Sequence, residues 1–204
     1  MTDAFPMDRR FLLGRIALLV GASIVPAEVF GAALKGKTAL SAANSSVLEA
    51  VCDTLVPATD TPGAVGAGVP ALFDGLLQNW ASAESREALI GAIEAIDRGA
   101  RQDWGKGFAA LSPDERTVFL KTFDSAALKP VPSKQKLTGL AALKALPSVV
   151  DPSYARLKDL IVSLYYGSEV GLTQELVYEH VPGPWEPSIK ITPDTRPYGS
   201  PGLL

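Results

Sequence analysis

The side chains best suited to catalysis are two aspartates and a histidine. Asp53 and Asp60 flank one loop of the sequence, and paired carboxylates can serve a hydrolase as general acid and base. His180, the only histidine, could act as a general base. No recognisable motif places a serine, cysteine or acid beside it, so we interpret it as a surface or interface residue. Local structure explains the aspartates better, because aspartate and threonine side chains bond nearby backbone N–H groups and fix turns.

Residues that bind metals or cofactors are equally scarce. Cys52 is the only cysteine, which excludes an internal disulfide, an iron–sulfur cluster and covalent haem attachment. One cysteine and one histidine are too few for a structural zinc site, and no dinucleotide fingerprint or phosphate loop occurs. The sequence therefore predicts no cofactor and no metal in this chain. We interpret Cys52 as a buried thiol that packs as a small apolar residue, with an intersubunit disulfide as the alternative.

The N-terminus has the features of a protein-export signal. A polar segment that ends in Arg9 and Arg10 precedes a mostly apolar run, residues 11–25, in the order of an n-region and an h-region. The arginine pair followed by Phe11 and Leu12 resembles a twin-arginine signal, which a receptor reads as an address. The sequence therefore predicts export by the twin-arginine translocase and a periplasmic location.

A membrane-spanning anchor is the alternative, because an apolar run of about 20 residues can cross a bilayer. Arg15 interrupts the run, and Pro26 and Glu28 end it. We favour a signal over residues 1–33. Of the two small-residue stretches that could precede a cleavage site, residues 25–27 and 31–33, we favour the second.

The roughly 170 residues that follow the predicted signal suit a single core. We predict one all-α domain over residues 34–180. Apolar residues recur three or four positions apart, as in amphipathic helices, and no segment alternates as a strand would. The net charge of -3 gives no electrostatic footprint for nucleic acid. Helices are predicted over Ser41–Val56, Val69–Trp80, Ser82 or Ser85 to Trp104, Ser112–Phe123 and Asp151–Tyr165, with a short one inside Leu128–Pro147.

The C-terminal tail, residues 181–204, has six prolines with large apolar residues between them. Proline fixes its own φ and cannot donate a backbone hydrogen bond, so we predict an extended strap. A disordered tail is the alternative, but such tails are poor in large apolar side chains. We therefore expect the strap to lie against another surface.

Two segments resemble a known family. Residues Asp53–Ala64, continuing through Ala67–Pro70, resemble the N-terminal motif of gluconate 2-dehydrogenase subunit 3 proteins; we call them the first motif. Residues Tyr166–Gln174, continuing to Val181–Gly183, resemble the C-terminal motif of that family and are the second motif. The resemblance implies a small subunit of a membrane-associated dehydrogenase that acts on sugars, polyols or sugar acids.

The resemblance also implies where the chemistry lies. In this family FAD is held by a separate catalytic subunit of the glucose-methanol-choline oxidoreductase type, and electrons commonly leave through a cytochrome c subunit that carries haem. This chain is then a non-catalytic accessory subunit, which stabilises the flavoprotein and carries it through export. A free-standing exported binding module is the alternative.

The partner interface is expected in the second motif and the strap. If Ser168–Tyr178 is helical, one side of the helix carries Glu169, Thr173 and Gln174. Hydrogen bonds to a partner and hydrogen bonds within the domain are then equally expected for these side chains. Trp185 has the character of an interface anchor. The alternative is that it packs against the core of this domain. The positions proposed for the interface are Tyr166, Glu169, Thr173, Gln174, Tyr178, Pro182 and Trp185.

Overall fold

A computed structural model describes residues 38–131, 148–178, 188, 190–192 and 195–199. These residues are mostly helical, which confirms the all-α prediction. The predicted signal at 1–33, most of the segment with the predicted short helix and much of the strap lie outside the described residues. The α-helices are α1 (Ala42–Leu55), α2 (Val69–Asn79), α3 (Ala83–Trp104), α4 (Pro113–Ala127) and α5 (Pro152–Tyr166), with a 3₁₀ turn at Phe108–Ala110.

The helices begin where short polar side chains cap free backbone N–H groups. Ser41 and Ser82 cap α1 and α3, so α3 begins after Ser82 and not after Ser85. Ser112 and Glu115 form a capping box at the start of α4, in which each side chain accepts from the other's backbone N–H. Such a cap contributes about 1 kcal/mol to helix stability. Helix starts were therefore predictable from local chemistry.

The core lies where α5 packs against α2 and α3, and where α1 packs against α3. Ile93 and Ile96 of α3 and Leu157 and Ile161 of α5 are completely buried. Each such side chain stabilises the fold by about 1.5–3 kcal/mol relative to an exposed one. The packing of these apolar side chains fixes the position of α5 and therefore the position of the start of the second motif.

A polar bridge ties α4 to α5 at the edge of this core. Lys158 Nζ lies 2.6 Å from Asp124 Oδ1, and the hydroxyl of Tyr154 donates to the same oxygen at 3.1 Å. Burial, followed by the nearby Asp124 charge, raises the pKa of Tyr154. The phenol therefore stays protonated and acts as a donor.

The end of the described chain departs from the predicted pattern. Residues Ser168–Tyr178 do not form one continuous α-helix: they contain a π-turn, Gly171–Glu175, which is followed by a two-residue strand, Val177–Tyr178 (β1). It pairs in parallel with Tyr198–Gly199 (β2) of the strap. No strand was predicted, because two residues are too few to show alternation.

No α-helix in the described ranges has the length and apolar character that crossing a bilayer requires.

The loop after α1 folds tightly around Gly63. A Cβ at this position would lie 2.6 Å from the backbone nitrogen of Ala58 and would also strike the Val56 carbonyl. Backbone atoms cannot move aside as a flexible side chain can. Only glycine therefore allows the first motif to close in this way.

Gly63→Ala is expected to lower the free energy of unfolding by about 1–3 kcal/mol through this overpacking. Gly75→Ala is the matched control, because Gly75 lies inside α2 with nothing within 4 Å of a new Cβ. It should stabilise the chain by about 0.5–1 kcal/mol. Urea unfolding followed by circular dichroism measures both changes, and two shifts of the same sign would contradict this account of the loop.

Candidate functional site

The two motifs meet through direct hydrogen bonds. The hydroxyl of Thr61, in the first motif, donates to Glu175 Oε2 at 2.6 Å, although the residues are 114 positions apart. The hydroxyl of Tyr165, at the end of α5, donates to the carbonyl oxygen of Pro62 at 3.0 Å. Thr61 and Tyr165 are both buried. We call the set Thr61, Pro62, Tyr165 and Glu175 the motif joint.

Local backbone bonds shape the first-motif side of the joint. Thr59 N–H donates to the carbonyl of Thr61 at 3.0 Å, and Ala64 N–H donates to that of Val56 at 2.9 Å. The Thr59 hydroxyl donates to the carboxylate of Asp60, which is a contact between side chains, whereas the turn-fixing interpretation of this segment predicts bonds to backbone N–H groups. Thr61 differs from that interpretation, because its hydroxyl bonds to a distant carboxylate and not to a neighbouring N–H group.

The π-turn shapes the other side. Ser168 Oγ donates to the Tyr165 carbonyl at 2.6 Å and accepts from Gly171 N–H at 3.0 Å. Leu176 N–H then donates to the carbonyl of Gly171 at 3.0 Å and closes the π-turn. A Cβ on Gly171 would strike the Tyr165 carbonyl. Turns of this kind are rare and recur at functional sites.

The strap adds a third segment to the joint through Arg196. Its Nη2 lies 2.6 Å from Asp60 Oδ2, and its Nη1 donates to the carbonyl of Gln174 at 2.7 Å. The same Nη1 lies 3.7 Å from Glu175 Oε2. Beside it, Val177 N–H donates to the carbonyl of Pro197 at 2.9 Å. The expectation that the strap lies against a surface therefore holds for its described residues 195–199.

These contacts set the charge states at the joint. A hydrogen bond from Thr59, another from its own backbone N–H and the charge of Arg196 hold the pKa of Asp60 below its usual value. Burial, the largest cause, raises the pKa of Tyr165. At neutral pH Asp60 is therefore an ionised acceptor and Tyr165 a protonated donor. Neither group is poised to exchange a proton near pH 7.

Asp53 belongs to a different surface, an open groove of about 430 Å³ beside α1. Its Oδ2 lies 3.9 Å from Nη1 of Arg116 in α4. Arg116 Nη2 donates to the carbonyl of Ala109 at 2.6 Å, and its buried Nε has no hydrogen-bond partner among the described residues. Asp53 and Asp60 thus face different arginines, so the structure does not join them as a catalytic pair.

Cys52 is fully buried in α1, as its interpretation as a packed thiol predicts. Burial, followed by the charges of Glu49 and Asp53, raises the pKa of this thiol to about 12. A buried thiol that stays protonated is a poor nucleophile. In the ranges the structure covers, no three histidine, cysteine, aspartate or glutamate side chains gather closely enough to hold a metal ion.

Comparison with models of protein families gives a match to gluconate 2-dehydrogenase subunit 3 over residues 42–183, well over half of the chain. The chain belongs to the gluconate 2-dehydrogenase subunit 3 family. This membership confirms the resemblance of the two motifs, and it makes the chain a subunit of a dehydrogenase complex. A search of curated proteins and a search of solved structures found no significant match.

The family match contains the whole motif joint but ends before Arg196. The sequence indicated the two motifs but not the bond from Thr61 to Glu175 or the bond from Tyr165 to Pro62. Nothing in local spacing pairs residues so far apart. The arginine among the prolines of the strap, Arg196, indicated a possible ion pair, but the sequence did not identify Asp60 as its partner.

The predicted interface positions have separate surroundings. Tyr166 is partly exposed at the end of α5, whereas Glu169, Thr173 and Gln174 are exposed in the turn that follows. The Thr173 hydroxyl donates to the Glu169 carbonyl at 2.7 Å, so this side chain has a bond within the domain. Tyr178 lies in β1. Pro182, Trp185 and His180 lie outside the described residues, and the interface stays a prediction.

Thr61→Val tests the joint, because valine keeps the shape but removes the donor to Glu175. We expect the free energy of unfolding to fall by about 1.5–3 kcal/mol, as for a hydrogen bond to a charged group. Thr117→Val is the control: its exposed hydroxyl bonds only to the Pro113 carbonyl one turn back in α4, and its loss should change stability by less than about 0.5 kcal/mol. Equal effects in chemical unfolding would show that the joint adds no stability.

The lowered pKa of Asp60 predicts a pH dependence. Because the pKa is lower in the folded chain, the contribution of Asp60 is present above its ordinary pKa of about 3.9 and is lost as pH falls through the folded value. Thr59→Val and Arg196→Met should each raise the Asp60 pKa, because each removes a contact that lowers it. Carboxyl ¹³C NMR titration measures both shifts, and an unchanged Asp60 pKa in either variant would contradict the contribution of that contact.

Proposed function

We propose that this family member is the non-catalytic small subunit of an FAD-dependent dehydrogenase complex that oxidises CH–OH groups of sugars or polyols. It stabilises the catalytic flavoprotein and carries it through twin-arginine export into the periplasm. FAD belongs to that catalytic subunit, of the glucose-methanol-choline oxidoreductase type. A cytochrome c subunit with haem is the third expected member, and the complex is expected at the membrane.

The motif joint is the observation that carries the accessory role. Polar side chains of the motifs form bonds within the chain: Thr61 bonds to Glu175, and Asp60 bonds to Thr59 and to Arg196 of the strap. A general acid or base needs free access to a substrate proton. Here the carboxylates instead hold chain segments together. The family's motif residues therefore serve the shape of the subunit, which supports catalysis in the partner.

Arg9 and Arg10 support the export role. Because a signal of this kind is an address and the twin-arginine pathway moves folded cargo, the catalytic subunit can take up FAD in the cytoplasm. It then leaves bound to the subunit that carries the address. A flavoprotein without a signal of its own is the cargo that this arrangement serves.

Arg9→Lys/Arg10→Lys tests the carrier role, because lysine keeps both charges but removes the arginine pair that the receptor reads. With both subunits coexpressed, we expect the catalytic subunit and its dehydrogenase activity to move from the periplasmic to the cytoplasmic fraction. Arg15→Lys makes the same change outside the pair and should leave the distribution unaltered. If the catalytic subunit still reaches the periplasm at normal levels in the double variant, the carrier role is wrong.

A pull-down of the tagged chain from membranes separates this function from that of a free-standing binding module. The absorbance spectrum of the eluate should contain flavin bands, with haem bands if the cytochrome subunit is retained. An eluate without flavin from cells that contain the catalytic subunit would favour the binding module.

A further inference from the structure

Arg196 holds both motifs from a position outside the family match. It contacts Asp60 of the first motif and the backbone at Gln174 and Glu175 of the second. The family match ends at residue 183, so the contact comes from a part of the chain that the shared family region does not include. One side chain of the strap therefore contacts both motifs.

The chemistry of arginine suits this position. Its planar guanidinium presents several donors in fixed directions, so it can hold a carboxylate and a carbonyl at once, whereas lysine offers one point charge. Each contact is partly exposed, with 35% of the Arg196 side chain and 75% of the Asp60 side chain accessible. Exposed ion pairs are individually weak. The contact is therefore suited to holding the strap reversibly.

Backbone pairing extends the contact from Arg196 into the second motif. The carbonyl of Pro197 accepts from Val177 N–H, and β2 pairs in parallel with β1 in the register Val177↔Tyr198 and Tyr178↔Gly199. A Cβ on Gly199 would lie 3.1 Å from Leu176, so the strap approaches the end of the π-turn closely. Displacement of the strap would thus remove support from both β1 and the π-turn.

We propose that the strap residues 195–199 act as a clasp, through Arg196, that fixes the second motif in the shape that binds the catalytic subunit. With the clasp closed, the π-turn and β1 are held against the first motif, and exposed Thr173 and Gln174 are presented in one arrangement. With the clasp open, the helices stay folded while the second motif loses that arrangement. The link to binding rests on the proposed function.

Arg196→Met in the full chain tests the clasp, because methionine keeps an unbranched apolar stem but no donor. Hydrogen exchange should become about tenfold faster or more at the amides of Val177 and Leu176, the loss expected for one charged hydrogen bond. Exchange at Leu157, in the core of α5, should not change. Lys190→Met is the control, since it removes an exposed positive charge from the same strap.

The coexpressed complex supplies the second measurement. Affinity of the catalytic subunit for the Arg196→Met chain should fall about tenfold, whereas the Lys190→Met chain should bind as the unaltered one does. Unchanged exchange at Leu176 overturns the clasp. Faster exchange with unchanged affinity overturns its role in binding. If the unaltered chain binds no flavoprotein, the proposed function fails, and the exchange data alone confirm or overturn the clasp.

Discussion

The hydrogen bond between Thr61 and Glu175 joins residues 114 positions apart, and the site depends on it. Closing so long a loop costs about 4–5 kcal/mol of chain entropy. A hydrogen bond to a charged group returns only about 1.5–3 kcal/mol. The joint therefore cannot hold the fold closed by itself. Burial of residues such as Leu157 and Ile161 must bring α5 into place first, after which Tyr165 and Glu175 reach the first motif.

This order explains what the sequence could predict. Helix starts depend on neighbours a few positions away, so Ser112 with Glu115 identifies the start of α4 without any knowledge of the fold. The buried face of a helix depends on the spacing of apolar residues along it. Apolar residues three or four positions apart do form the core, as Ile93 and Ile96 of α3 and Leu157 and Ile161 of α5 show. Both kinds of information are local. All five described helices could therefore be predicted, with bounds wrong by a few residues at most.

The site depends on contacts that local patterns do not contain. Gly171 permits the backbone to approach Tyr165, and the π-turn that begins there interrupts the continuous helix that would place Glu169, Thr173 and Gln174 on one side. Thr61 looked like a turn residue because its neighbours are turn formers, yet its partner lies in the second motif. Arg196 contacts a residue 136 positions away. The sequence could indicate that these segments matter but not that they touch, since tertiary packing decides which distant groups meet.

The motif joint and the clasp differ in how deeply their side chains are buried. Thr61 and Tyr165 are buried, so water and salt screen their bonds little, and breaking them requires displacement of the packed end of α5. The Arg196 contacts are partly exposed and weaken as ionic strength rises. Opening the clasp exposes little of the apolar core, because the largest fully buried side chains lie on the α-helices and the 3₁₀ turn. The joint thus belongs to the fold itself, whereas the proposed clasp would open on a folded subunit. A surface that adjusts in this way suits the proposed assembly with a second folded protein.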